Sequence, residues 1–151
     1  SIYVVSNHNG YTDMLRIEDD APVHKGRMAL LAYDLQADGT ATFREVLVDY
    51  APQDGPDGLV ADVDGNLYVA VRDATRPGIV VYSPAGSELA YIPTPEKPTN
   101  VAFGHGEQSK TLYVTYGPWP SKEGHTGAGG KNPHVLAKIK VKRDGYHLPK
   151  Q

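Results

Sequence analysis

Asp57 stands between Pro56 and Gly58 at the head of an apolar run. A carboxylate there is either a turn former, as Pro-Asp-Gly often is, or a group presented to a site. Thr99 takes the same place one repeat later, after Pro98, and is a candidate for lining the same channel. Arg72 directly follows a strand, and its guanidinium suits a carboxylate or sugar hydroxyls, or else a surface ion pair with Asp73 or another neighbour. Asn7 and His8 open a long loop and are candidates for substrate contact. Asp54, Asp62 and Asp64 read as solvent-facing and hairpin residues.

The remaining residues signal chemistry poorly. His125 and His134 lie nine residues apart around a glycine-rich segment, which is not a recognised metal-ligand spacing. Gly127-Ala128-Gly129-Gly130 lacks the Lys-Ser/Thr that completes a phosphate loop. An N-terminal Ser1 could use its own amine as the base for its hydroxyl, but ordinary proteolysis leaves the same end. With no cysteine in the chain there is neither a disulfide framework nor a thiol nucleophile.

These residues are carried by a repeat. Gly58–Val63, the turn at Asp64-Gly65 and Leu67–Val71 form a strand, a tight turn and a second strand, and Asp-Gly between β-rich runs is a strong hairpin signal. The expected turn is of the two-residue type, with positive φ at its central residues. The same grammar returns at Asn100–Phe103 and Thr111–Thr115, and Tyr68-Val69 and Tyr113-Val114 are 45 residues apart. A period of about 40–50 residues with four strands per unit is the signature of a β-propeller blade.

Taken in order, Ser1–Val5 is expected to be the second strand of a blade whose inner strand is missing, followed by an inserted loop over 7–29. Met28–Leu35 and Thr42–Val48 complete that blade, within residues 1–50. Residues 51–97 hold a complete blade, with Ile79–Tyr82 and Glu88–Ile92 as its third and outer strands. Residues 98–151 hold a last one, with a long loop over 117–134, Val135–Val141 and a short final strand around Tyr146-His147-Leu148. Alternation of strand direction sends loops 7–29, 72–78 and 117–134 to one end of the blades, where the connection bearing Asp57 also lies. Long loops on a rigid scaffold are where binding usually resides.

The fold class expected is therefore all-β, a β-propeller of about three blades, half of a six-bladed ring. Three blades cannot close a ring of the usual 4–8, so the chain is expected to be a fragment or to have a partner. That partner is a second chain carrying the N-terminal blades, or a copy of this one. A net charge of −3 gives no basic footprint for nucleic acid. No apolar run reaches the length of a membrane span, and the compartment stays open.

Gly55-Pro56-Asp57-Gly58-Leu59, Asp64-Gly65-Asn66-Leu67-Tyr68-Val69-Ala70, Gly78–Pro84, Pro98–Gly104 and Tyr33–Gln36 together resemble the gluconolactonase/senescence-marker-protein family, which includes regucalcin and is related to squid diisopropyl fluorophosphatase. The likeness covers about two-thirds of the chain and is strongest over 54–116. It implies a six-bladed propeller with one divalent cation at the channel mouth, calcium first, zinc or magnesium next. The family's ligands are a Glu, two Asn and an Asp, and the Asp is the one in Pro-Asp-Gly. Asp57 would then be both a metal ligand and the carboxylate that activates water or takes a proton as a lactone opens. The other ligands belong to earlier blades and have no counterpart here.

The resulting expectation is a metal-dependent hydrolase of the lactonase type, active once the N-terminal blades complete it. The alternative is a non-catalytic half-propeller that binds a ligand or protein through its long-loop face.

Overall fold

A computed structural model describes residues 1–7, 26–117 and 135–147. Among the described residues ten strands form three antiparallel sheets, and the only helical turn is a 3-10 turn at Gly106–Gln108. The chain divides into two compact units, Ser1–Pro56 and Asp57–Gln151. The all-β, blade-type fold expected from the repeat is the one found.

The first unit holds β1 (Ile2–Ser6), β2 (Ala29–Leu35) and β3 (Ala41–Asp49), hydrogen-bonded in the order β1-β2-β3. Cross-strand partners share a face and neighbours along a strand alternate. Tyr3, Val5, Leu30, Ala32 and Val48 therefore lie on one face, and Ile2, Val4, Leu31, Tyr33 and Phe43 on the other. Both faces are apolar, as expected of a sheet with packing on each side.

The second unit holds β4 (Pro56–Ala61, its first residue shared with the boundary), β5 (Leu67–Val71), β6 (Gly78–Tyr82) and β7 (Glu88–Pro93), ordered β4-β5-β6-β7. β8 (Pro98–Phe103), β9 (Thr111–Tyr116) and β10 (Val135–Lys140) make its other sheet, ordered β8-β9-β10. Every residue of β5 and β6 is buried. The two sheets meet through Tyr68, Ala70, Ile79 and Val81 on one side and Val101, Phe103, Leu112 and Val114 on the other. Tyr68 and Phe103 stack edge to face with ring centroids 5.0 Å apart, a geometry that aligns ring edge with ring face. Fully burying one such side chain is worth roughly 1.5–3 kcal/mol, so this cluster dominates the unit's stability.

The inner strands come closest at Gly58. A Cβ there would lie 2.2 Å from Asn100 Oδ1 and 2.7 Å from Asn100 Cα, so only glycine lets β4 approach β8.

The hairpin turns differ from the two-residue type expected. Asp62 N–H donates to Asn66 O, and Gly65 N–H donates back to Asp62 O. That pattern is a three-residue loop ending in one left-handed residue, and Gly65 alone has positive φ, at 82°. The same pair of bonds closes Gln36–Thr40 around Gly39 and Ser83–Ser87 around Gly86. One turn design thus serves three hairpins.

Asp62 is not solvent-facing: it is 1% exposed. Its Oδ1 accepts the Asp64 and Asn66 N–H groups and its Oδ2 accepts Asn66 Nδ2, all at 2.9 Å. Because both oxygens accept hydrogen bonds, the carboxylate can be buried. Tyr68 lies nearby, and burial first, with the Asp62 charge second, pushes its phenol above the ordinary tyrosine range.

The final strand expected around Tyr146-His147-Leu148 does not form at its described residues. An isolated bridge joins Gly145 to Asp62, and Tyr146 N–H donates to Ala61 O. The segment is pinned by Asp144 and Gly145, which bond Ser109.

Candidate functional site

Asp57 is the second residue of β4, within the strand rather than on the connection before it. Pro56 opens the strand, where its missing N–H costs no ladder bond, and it is fully buried. The hairpin closed by Asp62 and Asn66 returns the chain so that the end of β5 lies beside the start of β4. Arg72, the residue after β5, then reaches Asp57.

Arg72 Nη1 and Asp57 Oδ2 are 3.4 Å apart, with side-chain exposures of 6% and 36%. The separation exceeds the roughly 2.7–2.9 Å of a tight charge-assisted bond, so the attraction is mainly that of two charges. Both residues make further interactions. The expected partner Asp73 is otherwise engaged: its Oδ1 accepts the Thr75 N–H at 2.8 Å and the Thr75 hydroxyl at 2.9 Å. Arg72 is therefore a buried cation facing the candidate carboxylate, not half of a surface pair.

Thr99 holds the equivalent position in β8, one residue before the Gly58–Asn100 contact just as Asp57 is. Its hydroxyl lies 2.9 Å from that of Thr115. Where the β4–β5 hairpin carries Asp57 and Arg72, the β8–β9 hairpin carries Thr99 and Gly117, so the charged pair is absent as a unit. Thr115 was not singled out by its sequence context; the signal for it is the cross-strand register that sets Asn100 opposite Thr115.

Asn7 belongs to the first unit, where its Nδ2 donates to Pro56 O at 2.7 Å. That bond ties down the end of β1, so the side-chain amide is used structurally. His8, His125, His134 and the Gly127–Gly130 segment lie outside the described residues, as does most of loops 7–29 and 117–134.

Among the described residues no three His, Cys, Asp or Glu side chains gather closely enough to hold a metal ion. Asp57 offers a single carboxylate, and a guanidinium faces its Oδ2. The described residues do not by themselves make a divalent-cation site. What they make is a carboxylate with restricted orientation beside a buried positive charge, and, at the equivalent place of the next hairpin, a pair of hydroxyls.

The profile of the SMP-30/gluconolactonase/LRE-like region matches residues 23–117. Among solved structures, a gluconolactonase-family protein determined by X-ray crystallography superposes with a TM-score of 0.59 at 26% identity, over 80% of this chain and 34% of its own. A luciferin-regenerating enzyme superposes with the same TM-score of 0.59 and 26% identity, over 80% of this chain and 40% of its own. The chain thus spans well under half the length of these proteins. No curated protein sequence matches it.

Proposed function

We propose, from the premise that this chain belongs to the SMP-30/gluconolactonase/LRE-like family, that the assembly it contributes to hydrolyses lactones or related cyclic esters. The observation that carries the reading is Asp57, set on the innermost strand in the family's Pro-Asp-Gly context and part-exposed at 36% while the Arg72 beside it is buried.

In this reading Asp57 orients a water molecule toward the lactone carbonyl and accepts its proton as the water oxygen bonds the carbonyl carbon. The ring carbon–oxygen bond then breaks and the leaving oxygen takes that proton from Asp57, general acid–base catalysis worth about 10²–10⁴ in rate. Arg72 is a positioning residue: its charge fixes the direction in which the carboxylate presents its oxygens. The Thr99 and Thr115 hydroxyls are candidate donors to ring oxygens of a sugar-like substrate, and His8 remains a candidate contact from the loop that follows β1.

A divalent cation is part of the proposal, calcium before zinc or magnesium, with Asp57 as one ligand and the others supplied from outside this stretch. Bound there it would supply Lewis-acid polarisation of the carbonyl. A second polypeptide carrying further blades is the partner proposed. A binding module without catalysis is favoured by one observation, that Arg72 occupies the Asp57 oxygen a cation would take.

The test is the rate of sugar-lactone opening by the natively purified assembly, with and without chelator, for the parent and Asp57→Asn. Loss in the variant with the assembly intact supports hydrolysis. Equal rates leave only the binding reading.

A further inference from the structure

Asn100 stands in β8 between Thr99 and Val101, and its carboxamide is anchored at one end only. The Val101 N–H donates to Oδ1 at 2.8 Å. Because only the oxygen of an amide can accept that bond, the contact also fixes which end of the group is nitrogen. The nitrogen end is uncommitted: Asn100 is exposed, and among the described residues nothing accepts a hydrogen bond from Nδ2. A carboxamide holds a hard cation through its oxygen, so the free end here is suited to donate and not to ligate.

Gly58 sets where this amide lies. A Cβ on Gly58 would meet the Asn100 carboxamide, with Cγ 2.9 Å away, so the amide fills the space that a side chain at position 58 would take. It therefore sits against the residue that follows Asp57 on β4. The hydroxyls of the same hairpin are differently committed. Thr99 and Thr115 Oγ1 are 2.9 Å apart, Thr99 Oγ1 is 3.3 Å from Thr115 O, and Thr115 Oγ1 is 3.5 Å from Asn100 O. Each hydroxyl proton has a partner within the hairpin and must leave it to serve a ligand. Asn100 Nδ2 brings two donors with no bond to give up, on a group already held at its other end.

Resting on the lactone reading above, we infer that Asn100 is a specificity-determining residue whose Nδ2 donates to a hydroxyl oxygen carried on the ring of the substrate. A hydroxylated ring matches the donor. A bare ring displaces the water that solvates Nδ2 and offers no acceptor in its place, and a covered donor left unmatched weighs against that ligand. The site thereby favours hydroxylated lactones over unsubstituted ones of the same ring size.

The test is calorimetric binding of two hydrolysis-resistant probes to the natively purified assembly: glucono-δ-lactam, which carries the ring hydroxyls, and δ-valerolactam, the same ring without them. Asn100→Asp is the informative variant, because its Oδ1 still accepts the Val101 N–H while both Nδ2 donors are gone. The parent should prefer the hydroxylated lactam, and Asn100→Asp should lower the ratio of the two affinities at least tenfold while unfolding at the temperature of the parent. Asn100→Ala should lower the ratio to the same extent. A purely structural role would leave the ratio intact in Asn100→Asp, since the Val101 bond is kept. A parent without preference, or a preference that survives in both variants, overturns the inference. Opening of gluconolactone and δ-valerolactone is read on the same samples. Selective binding without opening removes the proposed reaction and keeps the role of Asn100, and opening with equal selectivity in parent and variants does the reverse.

Discussion

Arg72 Nη1 faces Asp57 Oδ2 across 3.4 Å, and the cation is far more buried than the anion, at 6% against 36% side-chain exposure. The asymmetry decides how the pair responds to mutation. An abandoned carboxylate at Asp57 can be rehydrated, whereas an abandoned guanidinium at Arg72 stays in a dry environment. Asp57→Asn should therefore destabilise the chain more than Arg72→Met does, about 2 kcal/mol against about 1 kcal/mol. The double variant should cost less than the sum of the two. Urea unfolding of the four species closes the cycle, and additive losses would show that the charges do not interact.

Gly58 governs the spacing of the inner strands. The Cβ of Gly58→Ala would fall 2.7 Å from Asn100 Cα, a backbone-bound atom that truncating Asn100 cannot remove. The variant should lose about 1–3 kcal/mol by overpacking, and Asn100→Ala should fail to rescue it. Thermal unfolding of both variants checks this.

The Asp62 carboxylate holds its hairpin by three bonds in a buried place. Asp62→Ala leaves the Asp64 and Asn66 N–H groups without their acceptor and should cost about 2–3 kcal/mol. Asp62→Asn keeps one oxygen and should recover part of that. Denaturant midpoints of the two variants provide the comparison, and equal losses would contradict the account.

At the surface, Arg76 grips Glu88 with two bonds, 2.9 and 2.6 Å, and stacks over Tyr91 at 4.2 Å. The Arg76 hydrogen bonds hold the Glu88 carboxyl below its ordinary value of 4.5. A lowered folded-state value means the stabilisation is complete above the unfolded value and is lost as pH falls through the folded one. Both groups are near half exposed, at 46% and 41%, so the effect is no more than about 0.5 kcal/mol. Arg76→Ala should change stability little at pH 7, and its difference from the parent should shrink further below pH 4 apart from the lost Tyr91 stacking.

Much of this fold is legible in the sequence because its strands are apolar runs separated by glycine turns. Leu67–Val71 and Ile79–Tyr82 stand out since burial on both faces permits no polar interruption. The turn type at Asp62–Asn66 is harder to read, because Asp-Gly fits both a two-residue and a three-residue loop. Only the cross-strand bonds decide between them. Tyr146 and His147 look like a strand by composition, but Gly145 is already committed to Asp62. Sequence neighbours such as Asp73 suggest themselves as partners of Arg72, but the hairpin brings it one from 15 positions away. Asp57 itself was legible through Pro-Asp-Gly, whereas its pairing depends on tertiary register that no local pattern encodes.

The most direct measurement is the initial rate of sugar-lactone opening by the natively purified assembly, comparing parent and Asp57→Asn at matched assembly mass. A fall of about 100-fold or more, with the assembly intact, is the expected result for loss of a general base. An unchanged rate in a fully assembled Asp57→Asn protein would contradict the placement of the reaction at this residue.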